Sequence, residues 1–456
     1  MENTFSYKYD YFKKIIILIG LIFTTFSCEN DKETDPTSQV EEIEIDIDIV
    51  IDESSTKNIS PFFFGQNYWS WVSEWGAQVK GTEPLMKNIG LNLLRLGGSE
   101  PDRNFPEAFN YEKIDEAVEY ANQIGVGILL QIPLLNNYEA EAITVEEAMD
   151  IIRYIKKQEY PIEFIAIGNE PDLYVEQGLK SNYTPDNLIQ QFNLFSDSIR
   201  AIDSNFKIIG PDLAWKYYPS NNWLKPFLSG SKDKLDIVSV HRYPFEPQAT
   251  TVENVILDAE KFRNDIRMIK GYFSETGLTQ DLPLAITETH ITFNGDPQFA
   301  YMEASPASFW AAMWVADVIG VGLEEELWNL SFWSISEGWT LGFIDGETKE
   351  PRPSYHALKL MATHTGNQQL KVTHNLDQIS VYASKNETND EIYLTIINKN
   401  DTQQTLKWKF EGIESNQEIE VNSFSINLMV IKNNIIEDHW EYTQEMALDQ
   451  SEPTVR

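Results

Sequence analysis

From about residue 61 the chain alternates short runs of β-branched or aromatic residues with longer amphipathic stretches. The short apolar runs predict buried strands, and the stretches in which apolar residues recur every three or four positions predict helices. Alternation of the two is typical of a parallel sheet whose strands are joined by crossover helices. The predicted strands are residues 62–68, 91–96, 127–131, 163–167, 207–210, 236–240, 284–287 and 327–333.

The predicted helices support one closed form of such a sheet. Some begin at a hydroxyl followed by proline, as at Thr184-Pro185 and Ser305-Pro306, a favourable first turn. Eight strand and helix units over about 300 residues match a (β/α)₈ barrel. An open doubly wound sheet usually has a Gly-rich phosphate turn after its first strand, and none follows Phe64. The predicted helices are residues 111–123, 145–157, 185–202, 252–272, 306–321 and 353–363.

After Gly366 the pattern changes to alternating apolar and polar residues, separated by turns rich in Asn, Asp and Gly. This predicts a small antiparallel β-sandwich. Residues 43–51 alternate apolar with acidic side chains, and we expect them to add a strand or two to that sandwich. The predicted segments are a signal peptide (1–27), an acidic flexible tether (28–40), strand residues joining the sandwich (41–60), the barrel (61–366), the sandwich (367–436) and a mobile tail (437–456).

The N-terminus has the layout of a signal peptide. Two lysines precede an apolar run over residues 15–23, which is too short for a mature transmembrane helix. Cys28 follows where bacterial lipoprotein precursors, which this segment resembles, are cleaved and lipidated. An ordinary signal with an incidental cysteine is the alternative. We expect a lipid anchor on Cys28 to be the protein's one contact with membrane, at the bacterial cell envelope and on the outer-membrane surface.

Composition excludes several classes of protein. Lys and Arg number 35 against 71 Asp and Glu, a net charge of −36, which argues against a nucleic-acid partner. Hydrophobic residues make up 42% of the chain, too many for general disorder. The single cysteine allows neither an intramolecular disulfide nor a cysteine-based metal cluster.

Two carboxylates end predicted strands. Glu170 follows the fourth strand and Glu288 ends the seventh, so only the fold brings them together. Chemistry on such barrels lies at the C-terminal ends of the strands. A single Glu there is ordinarily a surface or salt-bridge residue, but two facing carboxyls are what cleavage of a glycosidic bond requires.

Asn169-Glu170-Pro171 and Glu288, in an eight-strand frame, resemble clan A of the retaining (β/α)₈ glycoside hydrolases. The resemblance implies that Glu170 is the general acid/base and Glu288 the nucleophile of a retaining enzyme that cleaves a poly- or oligosaccharide. It also implies supporting roles for Asn169 at the neighbouring sugar hydroxyl, Arg95 in keeping the nucleophile ionised, His241 and Tyr243 near the nucleophile, and Trp333 under the reacting sugar.

Within the clan, residues 94–98 and 168–174 look most like glycoside hydrolase family 79, the heparanase and β-glucuronidase family. The carboxylate of a uronic acid would need cationic donors, and Arg103, Lys216 and Arg242 lie near predicted strand ends. Arabinofuranosidase and β-xylosidase families of the clan have similar frames and remain alternatives.

Aromatic residues follow several strands where a cleft would open, among them Trp69, Trp215 and Trp333. Sugar rings expose flat CH faces that stack on such side chains. His241 and His290 lie at strand ends, but two histidines without a further ligand favour a hydrogen-bonding role over a metal site. We expect no metal and no cofactor, because acid and nucleophile chemistry at an acetal needs neither.

Two other functions on the same barrel are alternatives to hydrolysis. A surface lipoprotein that binds glycans without cleaving them would have no need of a paired acid and nucleophile. A transglycosylase would share every residue named above. Retention requires the two carboxyl groups to lie about 5 to 5.5 Å apart, whereas a separation near 9 Å would favour inversion.

Overall fold

The computed structural model describes residues 47–69, 79–103, 105, 109–135, 143–214, 223–279, 281–296, 298 and 302–456. The predicted signal peptide, the tether with Cys28, and the predicted site residues Trp215 and Lys216 lie outside these ranges. Among the described residues, no helix is both long enough and apolar enough to cross a membrane.

The first described strand, β1 (Ile49–Asn58), belongs to a sheet described below. The next eight strands are parallel and close into a barrel in chain order, β9 pairing with β2. Nearly all their residues are buried, because helices cover the outside and side chains fill the interior. The barrel confirms the predicted fold class. Its strands are β2 (Phe64–Tyr68), β3 (Leu93–Leu96), β4 (Gly127–Ile132), β5 (Ile162–Ile167), β6 (Lys207–Leu213), β7 (Ile237–Arg242), β8 (Leu284–Thr289) and β9 (Asn329–Phe332).

Side chains cap several of the helices, and at the helix over residues 185–202 the Thr184 side chain accepts the backbone N–H of Asn187, as the sequence indicated. The start predicted at Ser305-Pro306 is wrong, because that helix begins at Phe309 and Ser308 caps it. The predicted helix over residues 252–272 is divided before Ala259, where the Asp258 carboxylate accepts hydrogen bonds from Arg242 and Trp314. The helices are α1 (Glu83–Met86), α2 (Ser99–Arg103), α3 (Tyr111–Ile124), α4 (Val145–Lys157), α5 (Pro185–Ile202), α6 (Leu224–Ser231), α7 (Val252–Ile256), α8 (Ala259–Thr276), α9 (Phe309–Glu324) and α10 (Pro353–Thr363).

A nine-stranded sheet forms the C-terminal part and has an apolar core of its own around Trp408. Strand β1 lies within it, antiparallel to β12 and parallel to β15, so both chain ends build the sheet. The strands after the barrel are the short parallel pair β10 (Ser336–Glu337) and β11 (Ile344–Asp345), then β12 (Gln368–His374), β13 (Ile379–Asn386), β14 (Glu391–Asn398), β15 (Gln404–Phe410), β16 (Gln417–Val421), β17 (Ser425–Lys432), β18 (Ile435–Thr443) and, after helix α11 (Gln444–Leu448), β19 (Thr454–Val455).

Helix α9 joins the barrel to the sheet. All but the last of its residues are buried, Trp310 and Trp314 among them, because it contacts sheet strands on one side and α8 and α10 on the other. Its Asp317 accepts a hydrogen bond of 2.6 Å from the Tyr382 hydroxyl and forms a 2.5 Å ion pair with Lys399. These buried polar contacts fix the sheet against the side of the barrel.

The predicted mobile tail, residues 437–456, is wrong. Strand β18 pairs along its length with β17, and β19 pairs with β18. Asn433 and Asn434 both have positive φ, 51° and 62°, and form a two-residue hairpin turn between β17 and β18. Asparagine tolerates this left-handed conformation better than most residues, so the chain turns back and the sheet continues.

Candidate active site

The strand ends bring three titratable side chains together. Glu288 lies near the end of β8, His241 near the end of β7, and Glu170 three residues after β5. His241 Nδ1 lies 3.0 Å from Glu170 Oε1 and 3.6 Å from Glu288 Oε2. One oxygen of Glu170 and one of Glu288 lie within 4.8 Å of each other. The two carboxyls predicted from strand ends therefore face each other across the mouth of the barrel.

Arg95, near the end of β3, is completely buried inside the barrel. Its Nη1 donates to Glu288 Oε1 at 2.6 Å, and its Nη2 donates to Asp212 Oδ2 at 3.0 Å. Further hydrogen bonds reach the oxygens of Asn67, Gln131 and Asn169. Five acceptors from five different strand ends thus surround one guanidinium, which fixes the plane of the Glu288 carboxylate.

The charges of this cluster are interdependent. Burial opposes the charged form of Arg95, but Asp212 and Glu288 outweigh burial and raise the arginine's pKa. Burial also opposes ionisation of Asp212, yet Arg95 lowers the pKa of that carboxyl. Burial raises the pKa of Glu288, and the charges of His241 and Arg95 counteract this shift. Without Arg95, the charge of His241 alone would offset these two buried carboxylates among the groups named here.

The backbone around Glu170 is shaped by its neighbours. Glu170 has φ 47° and ψ 50°, a left-handed conformation that is costly for a residue with a Cβ, of order 1–3 kcal/mol. Its backbone N–H donates to the carbonyl of Asp212 at 2.9 Å. Gly168 has φ 80°, and a Cβ there would lie 2.5 Å from a methyl carbon of Leu134. Side chains larger than hydrogen are therefore excluded at the start of this turn.

Tyr243 and two tryptophans complete the surroundings of Glu288. The Tyr243 hydroxyl donates to Glu288 Oε2 at 3.0 Å, and burial raises its pKa, so the donor stays protonated. The rings of Trp69 and Trp333 lie 5.5 Å apart at 49°. Gly98 packs under Trp333, where a Cβ would lie 2.8 Å from the indole. Both tryptophans border the cavity described next, and their stacking on a sugar stays a prediction.

A cavity of about 510 Å³ opens above these groups. Its described lining contains six glutamates and no Lys or Arg. Such a lining offers many acceptors for sugar hydroxyls and no cation for a carboxylate on the substrate. The lining residues are Trp69, Ser99, Glu100, Glu170, Leu173, Glu176, Gln177, Ala214, Tyr243, Glu246, Glu288, Phe293, Asn294, Gly295, Trp333, Glu337, Trp339 and Leu341.

Glu337, on β10, is a cavity residue that sequence reasoning missed. It is 3% exposed, and its Oε2 has no hydrogen-bond partner among the described residues. Burial raises the pKa of Glu337 to about 7, although the charge of Arg352 opposes the shift. Arg352 also donates to the carbonyls of Trp339 and Gly342 and so holds the loop that carries Glu337. The signal in the sequence was only its position four residues after Trp333.

Three further polar residues around Arg95 were also missed. Asn67 and Gln131 lie near the ends of β2 and β4, and Asp212 lies near the end of β6. Asp212 Oδ1 accepts a 2.6 Å hydrogen bond from the Thr287 hydroxyl, and Asn67 donates to the Thr287 carbonyl. Each is a polar residue ending an apolar run, so the rule that indicated Glu170 and Glu288 could have found them.

Other predicted residues contribute differently. Arg242, suggested as a donor to a uronate, forms ion pairs with Asp258 at 2.6 Å and Asp265 at 2.7 Å. Burial lowers the pKa of His290 to about 3, so it stays neutral, and it does not line the cavity. Among the described residues, Glu170, His241 and Glu288 form the one group whose ligand atoms could jointly reach a small cation.

The structure resembles several solved glycosidases at low sequence identity, which shows the fold alone. An α-L-arabinofuranosidase from Thermotoga maritima has a TM-score of 0.66 and 15% identity, over 85% of this chain and 98% of that chain. CelM2, a bifunctional glucanase-xylanase from a metagenome library, has a TM-score of 0.66 and 13% identity, over 84% of this chain and 98% of that chain. AbfB, a family 51 α-L-arabinofuranosidase from Bifidobacterium longum, has a TM-score of 0.65 and 15% identity, over 90% of this chain and 95% of that chain.

The sequence comparison identifies the family. No curated protein sequence matches the chain. The sequence model of glycosyl hydrolases family 39 matches residues 151–433, more than half of the chain. This match corrects the predicted assignment to family 79, whose two short motifs, residues 94–98 and 168–174, lie at the catalytic strand ends that the clan shares. The protein is a retaining glycoside hydrolase of clan A, and the chain belongs to glycosyl hydrolases family 39.

Proposed function

We propose that this glycosidase hydrolyses glycosides of a neutral sugar, with Glu288 as nucleophile and Glu170 as general acid/base. The observation that carries the proposal is the facing pair of carboxylates, with oxygens within 4.8 Å of each other. This spacing supports double displacement, for which the carboxyl groups lie about 5 to 5.5 Å apart, over inversion, for which they lie about 6.5 to 9.5 Å apart.

In the first step a Glu288 oxygen attacks the anomeric carbon while protonated Glu170 gives its proton to the leaving oxygen. The glycosidic bond breaks, the leaving group departs as an alcohol, and the sugar remains as an ester on Glu288. In the second step Glu170, now a carboxylate, takes a proton from water, which attacks the same carbon and releases Glu288. Arg95 and Tyr243 hold one Glu288 oxygen each, which orients the carboxylate for attack.

The charge of the cavity favours a neutral sugar over a uronic acid. Its described lining has glutamates and no cationic side chain, and Arg242 is already paired with two aspartates. A uronate carboxylate placed there would lose hydration without gaining a cationic partner among the described residues, which is costly. The arabinofuranosidases and β-xylosidases considered from the sequence act on uncharged sugars, so these activities fit the cavity better than β-glucuronidase activity.

A panel of chromogenic glycosides tests the proposal on protein that begins after Cys28. The panel contains aryl β-xyloside, α-arabinofuranoside, β-glucoside and β-glucuronide. We expect turnover of a neutral member, loss of turnover in Glu288→Gln, and rescue of Glu170→Gln by azide, which needs no base to attack the ester. Turnover of the glucuronide alone would refute the neutral sugar, and azide rescue of Glu288→Gln with a glycosyl azide of retained anomeric configuration would refute the assigned roles.

We also propose that Cys28 carries a lipid that anchors the enzyme to the bacterial envelope, facing outward from the outer membrane. The support is the apolar run over residues 15–23 and the acidic residues after the cysteine. Cells expressing the full chain should incorporate labelled fatty acid into it, and Cys28→Ala should not. Equal labelling of the Cys28→Ala variant would refute the anchor.

A further inference from the structure

The turn that carries Glu170, here called the acid/base turn (residues 169–174), is held by a side chain that does not line the cavity. Asp102 comes from α2, after the second barrel strand, and is 1% exposed. Its Oδ1 accepts the backbone N–H of Leu134 at 2.6 Å. Its Oδ2 accepts the backbone N–H of Asn169 at 2.9 Å and the hydroxyl of Tyr174 at 2.8 Å. One carboxylate therefore connects the ends of three consecutive barrel strands.

We propose that Asp102 is a positioning residue for Glu170: it holds both ends of the acid/base turn so that the Glu170 carboxyl faces the leaving oxygen. The inference rests on the proposed role of Glu170 as general acid/base. Asp102 contacts neither Glu170 nor the cavity, and it acts through the residues that flank Glu170 in the chain, Asn169 and Tyr174.

The surroundings of Asp102 require a carboxylate. Two of its partners are backbone N–H groups, which only donate, and both oxygens of an ionised carboxylate only accept. An asparagine would direct its NH₂ group at one of these donors and leave it without an acceptor in a buried place. Burial raises the pKa of Asp102 to about 6, and the groups that donate hydrogen bonds to it oppose that shift. The carboxylate is thus retained at a site where burial alone disfavours it.

The turn needs this support because its conformation is costly. Glu170 lies in the left-handed region, which a free turn would leave. On the far side, Asp172 Oδ1 accepts the backbone N–H of Ala214 at 3.0 Å, and the Glu170 N–H is bonded to Asp212. Asp102 supplies the opposing attachment towards β3 and β4. Removing it would let Asn169 and Tyr174 shift and would carry the Glu170 carboxyl away from the leaving oxygen.

The experiment compares two leaving groups on the sugar found active in the panel. The dinitrophenolate leaving group departs without protonation, whereas the phenolate of a phenyl glycoside needs a proton from the general acid. That proton transfer contributes about 10²- to 10⁴-fold to the rate. We expect Asp102→Asn to lower kcat/KM for the phenyl glycoside at least about tenfold more than for the dinitrophenyl glycoside. A purely structural defect would lower the two values together.

Matched variants separate the possible outcomes. Asp115→Asn removes another aspartate that accepts two tyrosine hydroxyls, at 2.8 and 2.6 Å, but on the outer helix α3, and it should leave the ratio of the two values unchanged. Tyr174→Phe removes one donor and should change the ratio in the same direction, which keeps the proposal testable if Asp102→Asn fails to fold. The proposal is overturned if Asp102→Asn lowers kcat/KM equally for the phenyl and dinitrophenyl glycosides, or lowers neither, while Glu170→Gln lowers the value for the phenyl glycoside much more. If Glu170→Gln lowered kcat/KM equally for the two glycosides, the proposed role of Glu170 as general acid/base would itself be refuted.

Discussion

Replacing Arg95 by methionine tests the electrostatic account of the nucleophile. The change removes a buried charge that lies 2.6 Å from Glu288 and 3.0 Å from Asp212, and it keeps most of the apolar volume. Removing one partner of a buried ion pair costs about 3 to 5 kcal/mol. If that cost falls on the transition state, kcat/KM drops roughly 10²- to 10⁴-fold, at about 1.4 kcal/mol per tenfold.

The pH dependence gives the sharper measurement. Without the cation, the ionised form of Glu288 is disfavoured and its pKa rises further. The nucleophile is then ionised only at higher pH, so the acidic limb of kcat/KM should move to higher pH. The assay is hydrolysis of a dinitrophenyl glycoside between pH 4 and 8, because this leaving group makes the first step independent of the general acid.

Arg242→Met is the control, because it removes another buried guanidinium that pairs with two aspartates and does not line the cavity. It should destabilise the fold and leave the acidic limb where it is. The account is refuted if Arg95→Met keeps the wild-type acidic limb and loses less than about threefold in kcat/KM, since Arg95 would then contribute under about 0.7 kcal/mol.

Three further changes have expected outcomes. Tyr243→Phe removes the donor to Glu288 Oε2 and should lower kcat about 10- to 150-fold, the equivalent of the 1.5 to 3 kcal/mol of a hydrogen bond to a charged group; an unchanged kcat would contradict the contact. Glu337→Gln tests a carboxyl whose pKa is raised to about 7 and whose ionisation therefore costs the folded state stability as pH rises from about 4.5 to 7. In urea unfolding, the free energy of unfolding of the variant should rise by about 2.5 kcal/mol relative to wild type between pH 5 and pH 8, and parallel profiles would disprove the shift. Asn434→Val should destabilise the fold by about 1–2 kcal/mol, because φ is 62° there, whereas Asn434→Gly should not; equal thermal midpoints for both would contradict the hairpin turn.

The barrel and the two carboxyls were predictable because local patterns determine them. Parallel strands buried on both faces read as apolar runs, and the residue that ends each run lies at the mouth of the barrel. Glu170 and Glu288 follow from that rule, and so does Asp212, near the end of the fifth strand of the barrel.

The remaining parts of the site depend on contacts that no local pattern encodes. Glu337 lies in a loop whose path is set by Arg352, fifteen positions later, which donates to the carbonyls of Trp339 and Gly342. Asp102 looks like an exposed helix residue in sequence, but it is buried in the structure and accepts the N–H groups of Leu134, after β4, and Asn169, after β5. The predicted tail is wrong for a different reason, because Asn433-Asn434 is a hairpin signal that is present in the local sequence.

The central claim is that hydrolysis proceeds through a sugar ester on Glu288. A 2-deoxy-2-fluoro glycoside of the active sugar, with a dinitrophenyl leaving group, slows the breakdown of such an ester, so intact-mass and peptide mass spectrometry can locate it. The account predicts one added sugar mass per chain, on the peptide that contains Glu288, and none in Glu288→Gln. A label on another residue, or release of product with an inverted anomeric centre by NMR, would contradict it.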